Sequence, residues 1–214
     1  LVSRASRFRM PSMILRDWAL ANAGLLVTRV GGKPVYPYQP EKVWEALAIT
    51  KARNFDYPLS KGDDLYRRSL YTFWRRTVGP VNMFDSSDRQ ACRVKPGKTS
   101  TPLHALTTLN DPTWVEASRF IAEEIMQEYE NVSDRLENAF VKVTAQQPSN
   151  EKLFLLKKAY VQQLAIFQGN PEEAKKLLAV GSKKRKTILP SVEHAALTQV
   201  CLAILNLDQS LTRE

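Results

Sequence analysis

Cysteine and histidine are nearly missing from this chain, with two of each in 214 residues. Cys92 and Cys201 lie far apart, and neither sits in a C-x-x-C, C-x-x-C-H or zinc-ligand spacing, so the sequence encodes no haem attachment and no zinc site. His104 and His194 are too few for a histidine-rich metal centre. No apolar run approaches the ~20 residues that span a bilayer, and neither a hydrophobic leader nor a lipidation signal is present. Glycine-rich phosphate cradles and a G-x-S-x-G elbow are absent, which removes two common signatures of nucleotide binding and serine hydrolysis. No stretch alternates apolar and polar residues over more than four positions, so extended sheet is excluded and an all-α fold is expected.

What the chain does contain is enough apolar material for one sizeable core. It is 43% hydrophobic and 25% charged, with a mean hydropathy of -0.33, which rules out disorder and collagen. It begins Leu1-Val2-Ser3-Arg4 without an initiator methionine, so an internal piece of a longer polypeptide is expected. The net charge of +9 is unevenly placed. Residues 1–100 carry 18 Lys or Arg against 8 Asp or Glu, whereas residues 101–214 carry 13 against 14. Such a field suits nucleic acid, an anionic surface, an acidic polysaccharide or an acidic partner domain.

Punctuation along the chain defines the expected elements. A helix is expected over Met13–Thr28, capped by Ser12 and ended by Gly31-Gly32. Pro34, Pro37 and Pro40 then make a connector, Glu41–Thr50 a short helix and Asn54–Gly62 a loop. Asp63–Thr77 reads as a helix with acids at its start and arginines at its end, as the macrodipole prefers. Its Tyr66, Leu70, Phe73 and Thr77 share one face, and Arg68 and Arg75 share another. Val78–Lys98 is full of turn residues and reads as a long irregular excursion.

From Thr101 onward helices predominate. Asp111 caps a helix with Pro112 at its first position and a stripe of Trp114, Ser118, Ile121, Ile125 and Tyr129. Helices over Ser133–Thr144 and Ser149–Gln168 follow, then one opened by Asn170-Pro171 and one from Ser191. The chain thus reads as a single domain over 1–214, with a basic, loop-rich part over 1–110 and a helical bundle over 111–214.

Few residues suggest chemistry. Asp85, Asp88 and Asp111 could group with His104, although turns and caps account for all three acids. The basic, aromatic segment Tyr66–Arg76 could stack bases and pair phosphates, or serve as core. Lys183-Lys184-Arg185-Lys186 has the composition of a nuclear-localisation run, or of an exposed loop. Cys201 sits in an apolar helix, where a buried thiol is the default, and a Cys92–Cys201 bridge requires an oxidising compartment. The return of the excursion into Thr99-Ser100-Thr101-Pro102 beside Asn110-Asp111-Pro112 suggests an anion-friendly corner at a helix start. Arg68, Arg75, Arg89, Asp111 and His104 are its candidate ligand-binding residues, with an internal salt-bridge network as the alternative.

The motifs Arg7-Phe8-Arg9-Met10-Pro11, Ile14-Leu15-Arg16-Asp17, Gly31-Gly32, Pro37-Tyr38-Gln39-Pro40 and Tyr66-Arg67-Arg68-Ser69-Leu70-Tyr71-Thr72-Phe73-Trp74-Arg75-Arg76-Thr77 resemble a family. So do Phe84-Asp85-Ser86-Ser87-Asp88-Arg89, Thr99–Leu106, Leu109-Asn110-Asp111-Pro112 and the closing Leu205-Asn206-Leu207-Asp208. The family is the planctomycete PSD-type C-terminal domain of cytochrome-c-like proteins, the domain of unknown function 1553. The sequence departs from its pattern at Ser100, where Asn is usual, and at His104, where Gln is usual.

The resemblance implies a module of an exported polypeptide with no established activity. It places haem c only in an upstream domain, and it makes a Cys92–Cys201 bridge admissible. It also implies an extracytoplasmic location, periplasmic or secreted, which disfavours nucleic acid. The expected role is therefore that of a non-catalytic helical module docking on upstream domains of the same polypeptide. Binding or processing of an anionic polysaccharide is the alternative, and no membrane span is expected.

Overall fold

The computed structural model describes residues 7–40, 57–74, 83–85, 100–185 and 188–213. It is all-α apart from two short strands. Helix α1 spans Ser12–Asn22, α2 Pro102–Asn110, α3 Pro112–Glu128, α4 Val132–Thr144, α5 Asn150–Gly169, α6 Pro171–Leu178, α7 Ser191–Leu205 and α8 Asp208–Leu211. Strand β1 (Phe8–Arg9) pairs antiparallel with β2 (Thr212–Arg213), Phe8 opposite Arg213, and so ties the two ends of the described chain together.

The second half folds as its caps dictate. Asp111 accepts the Thr113 N–H at 2.8 Å at the start of α3, Asn131 accepts that of Ser133 at 2.9 Å at the start of α4, and Ser149 accepts that of Lys152 at 3.3 Å at the start of α5. Helix α7 is apolar on every side, and a helix of that kind belongs in the middle of a bundle. It packs chiefly against α3 and α5, and then α6, burying Leu197, Val200, Leu202, Ile204 and Leu205.

Cys201 of α7 is a free thiol with no exposure, and burial pushes its pKa up to about 12. Cys92, the other half of the bridge that an oxidising compartment would allow, lies outside the described residues, as do Glu41–Thr50 and most of Val78–Lys98.

The first half departs from expectation in two places. Helix α1 stops at Asn22, well before the Gly31-Gly32 pair, because Gly24 takes a left-handed conformation at φ 64°. The Gly24 N–H reaches the Ala21 carbonyl at 3.0 Å and the Leu25 N–H the Leu20 carbonyl at 2.9 Å, while the Leu20 and Leu25 side chains are both buried, which is a Schellman stop. Ser12 is not the cap but the first helical residue. Its backbone N–H is received by both carboxylate oxygens of Asp85, at 3.0 and 3.1 Å, and its hydroxyl also bonds that group. A distant acid thus satisfies the helix start and meets its positive end.

The second correction concerns Asp63–Thr77, of which the described part, 63–74, is not a helix. Gly62–Tyr66 and Ser69–Tyr71 are short 3₁₀ turns, with Arg67 and Thr72 extended between and after them. The reason lies in where the carbonyls go. Those of Leu65 and Arg67 accept from the Arg16 guanidinium at 2.8 and 2.9 Å, that of Tyr66 from the Val27 N–H at 3.0 Å, and that of Tyr71 from the Val35 N–H at 2.8 Å. A helix needs those acceptors for its own amides; here other parts of the chain have taken them. The expected basic, aromatic helix for nucleic acid therefore does not form, and Tyr66 is buried in the core.

Candidate functional site

Three of the five residues assigned to the anion corner are described, and each has its own local role. Asp111 is buried and caps α3. His104 is half-buried on α2 and stacks on Phe84, ring centroids 3.8 Å apart and 12° from parallel. Arg68 is exposed and stands 3.9 Å from Asp17 on α1. Arg75 and Arg89 lie outside the described residues, as does Asp88.

The arginines that sequence reasoning passed over are the buried ones. Arg16 donates to the carbonyls of Leu65 and Arg67, and the neighbouring Asp17 accepts the Ser69 N–H at 2.7 Å. Burial lowers the pKa of Arg16, opposed by the charges of Asp17 and Asp111. Arg67 lies across the Tyr71 ring at 3.9 Å and donates to the carbonyls of Arg29 and Lys33, each at 3.1 Å, and to that of Gly31. The Gly31-Gly32 turn is thereby wrapped around a guanidinium; both glycines have positive φ, at 80° and 93°.

A third buried centre joins the two halves. Glu116 on α3, with no exposure, accepts from the Tyr66 hydroxyl at 2.9 Å, the Tyr38 hydroxyl at 3.1 Å and the Lys183 backbone N–H at 2.8 Å. Arg119, one turn on and equally buried, approaches it at 3.4 Å and holds the Lys183 carbonyl at 2.5 Å. Burial and the Glu116 charge raise both phenols, Tyr38 to about 12 and Tyr66 further, so both remain neutral donors. Gly181, at φ 96°, passes so close that a β-carbon there would meet the Glu116 carboxyl carbon at 2.2 Å. The basic run is thus pinned to the interior through its first residue, Lys183, while Lys186 lies outside the described residues.

These centres use several residues of the motifs that carry the family resemblance. Arg16, Tyr66, Arg67 and Asp111 are buried, while half-buried Asp17, Tyr38 and Asp85 and the exposed Gly31-Gly32 turn bond to them or to backbone groups nearby. They hold an irregular half together; none of them opens on a cavity with a nucleophile and a base. Among the described residues no group of three or more His, Cys, Asp or Glu could hold a metal ion, and no helix is long and apolar enough to cross a membrane.

The outer surface carries a different signal. Helix α5 turns Tyr160 and Phe167 inward, with Leu153, Leu156 and Leu164 packed beside them, which is the ordinary core stripe. Its two flanks are also apolar: Phe154 and Val161 on one side are 67 and 62% exposed, and Leu155 and Ile166 on the other 61 and 53%. Lys157 and Lys158 are exposed beside them, and the helix carries three lysines against the single acid Glu151. On α2, Leu103, Leu106 and Leu109 recur every third residue and are likewise exposed.

A family model described as PSD1, protein of unknown function (DUF1553), matches residues 1–160. The match ends within α5, short of the Leu205-Asn206-Leu207-Asp208 motif. No curated protein matches the chain, and no solved structure does.

Proposed function

This chain belongs to the PSD1 family of proteins of unknown function (DUF1553), and on that premise we propose that it is a non-catalytic helical module which docks on a partner domain through the outer face of α5. One observation carries the reading: beyond its buried stripe, α5 exposes four large apolar side chains, Phe154 with Val161 on one flank and Leu155 with Ile166 on the other. A surface helix of a self-sufficient domain presents polar residues to water. Here four large apolar side chains stand in that position, and a patch of that kind marks an interaction surface.

The lysines around these side chains define the occupant, an apolar surface rimmed by carboxylates, since complementary charge steers encounter and fixes register. The resemblance supplies its source: an upstream domain of the same exported polypeptide, where haem c would reside. The inward-facing motif residues support the non-catalytic reading, because they are committed to holding the fold.

The test is calorimetric titration of the upstream domains with this chain, both purified. Saturable one-to-one binding is expected, and Phe154→Glu with Val161→Glu should weaken it at least about tenfold while leaving the thermal midpoint of the chain in place. Undiminished binding by the double variant, or no binding by the unaltered chain, would overturn the reading.

A further inference from the structure

A cleft of about 760 Å³ opens on the opposite chemistry. It lies between α1, which contributes Trp18 and Asn22, the end of α4 from Lys142 to Gln146, and the tail of the chain at Gln209, Thr212 and Arg213, with Arg7 at its edge. Its volume is within the range that holds small ligands.

Four features give it the character of a binding site. Arg213 stands 5.6 Å from the Trp18 ring centroid, and its Nη1 donates only to the carbonyls of Thr212 and Ser210, at 3.1 and 3.4 Å. The other two cations of the lining are already paired, Lys142 with Glu124 at 2.6 Å and Arg7 with Asp208. Among the described lining residues, Arg213 alone is a cation with no carboxylate within 4 Å. Gln209 accepts from Lys152 through Oε1 at 2.6 Å, yet its buried Nε2 has no partner. A buried donor left that way costs stability unless something meets it. Ala145, on the same wall, is the single non-glycine residue at positive φ among the described residues, at 56°. Strain held at a cleft is a reason to look there for function.

We propose that this cleft binds an acidic saccharide, with a carboxylate received by the free edge of Arg213, whose guanidinium lies over the Trp18 ring, and the sugar ring beside that pair. One available guanidinium suits one carboxylate per bound unit, whereas a polyphosphate would need several free cations. An aromatic wall with neutral amide and hydroxyl groups suits a ring bearing many hydroxyls: Asn22 uses its Nδ2 on the Trp18 carbonyl at 2.9 Å, which leaves its Oδ1 as an acceptor, and Gln209 supplies a donor.

The experiment is calorimetric titration of the whole chain with α-1,4-linked trigalacturonate, with maltotriose as the neutral counterpart and sodium sulfate as the bare anion. Trigalacturonate should bind saturably and at least about tenfold more tightly than maltotriose, with sulfate failing to displace it at equal concentration. Arg213→Gln should lower that affinity at least about tenfold, Arg213→Lys should restore only part of it because the planar fork is lost, and Lys176→Gln on distant α6 should leave it unchanged. Unchanged melting of each variant shows that the fold is intact. Equal binding of maltotriose, displacement by sulfate, undiminished binding by Arg213→Gln, or no saturable binding at millimolar trigalacturonate would each overturn the proposal.

Discussion

His194 shows how much of this protein's chemistry is structural. Its Nε2 lies 3.1 Å from the Arg119 carbonyl, its Nδ1 has no partner, and the ring is fully buried. Burial holds its pKa below the ordinary 6.5, outweighing the opposing effects of the Arg119 carbonyl and Glu123. The unfolded chain therefore takes up a proton that the folded chain resists. The stability contributed by the neutral ring is complete above about pH 6.5 and declines as the pH falls below it. Urea midpoints should drop between about pH 7.5 and 5, and His194→Gln should flatten that slope; a slope identical in the variant would assign the pH response to other groups. The same reasoning explains why Glu116 and Arg119 face each other. Removing either member of a buried pair leaves an uncompensated charge, at a cost of about 3–5 kcal/mol. None of this was legible in the sequence, because which of 31 basic residues turn inward depends on contacts between segments far apart in the chain.

Elements whose signals are local were legible, and those shaped by distant partners were not. The starts of α3 and α5 were visible as Asp111-Pro112 and Ser149, since a cap acts on amides two or three residues away, whereas α4, read from Ser133, starts at Val132 with Asn131 as its cap. Asp63–Thr77 had a good helical pattern and good dipole charges, yet Arg16, Val27 and Val35 take its carbonyls. Gly24 was a signal present but passed over: it ends α1 by the usual left-handed device. Ala145 ends α4 in the same conformation without glycine's freedom. Ala145→Gly should therefore raise stability by about 1 kcal/mol, read as an upward shift of the denaturant midpoint with the slope unchanged. A fall in the midpoint would show that the alanine methyl makes a contact worth more than the strain it causes.

At the scale of the molecule, the all-α architecture and the basic first half followed from composition and periodicity, while the division of labour did not. The expected corner of Arg68, Arg75, Arg89, Asp111 and His104 rested on sequence neighbours converging. In the fold, Asp111 is occupied as a cap and His104 with Phe84. Among the described residues, the apolar flanks of α5 and the Trp18–Arg213 cleft are available surfaces, and neither carries a motif that sequence reading recognises. Exposed apolar flanks on a helix that also has a buried apolar stripe look, in sequence, like a helix buried on all sides.

The central proposal is that these apolar flanks of α5 are covered when the protein is at work. Hydroxyl-radical footprinting of the chain with and without the proposed partner domain tests it most directly. Phe154, Leu155, Val161 and Ile166 should lose most of their modification in the complex, while Val30 and Ile188, which are 83 and 86% exposed elsewhere, should keep theirs. Unchanged modification along α5 in a mixture where the domains are bound would contradict the account.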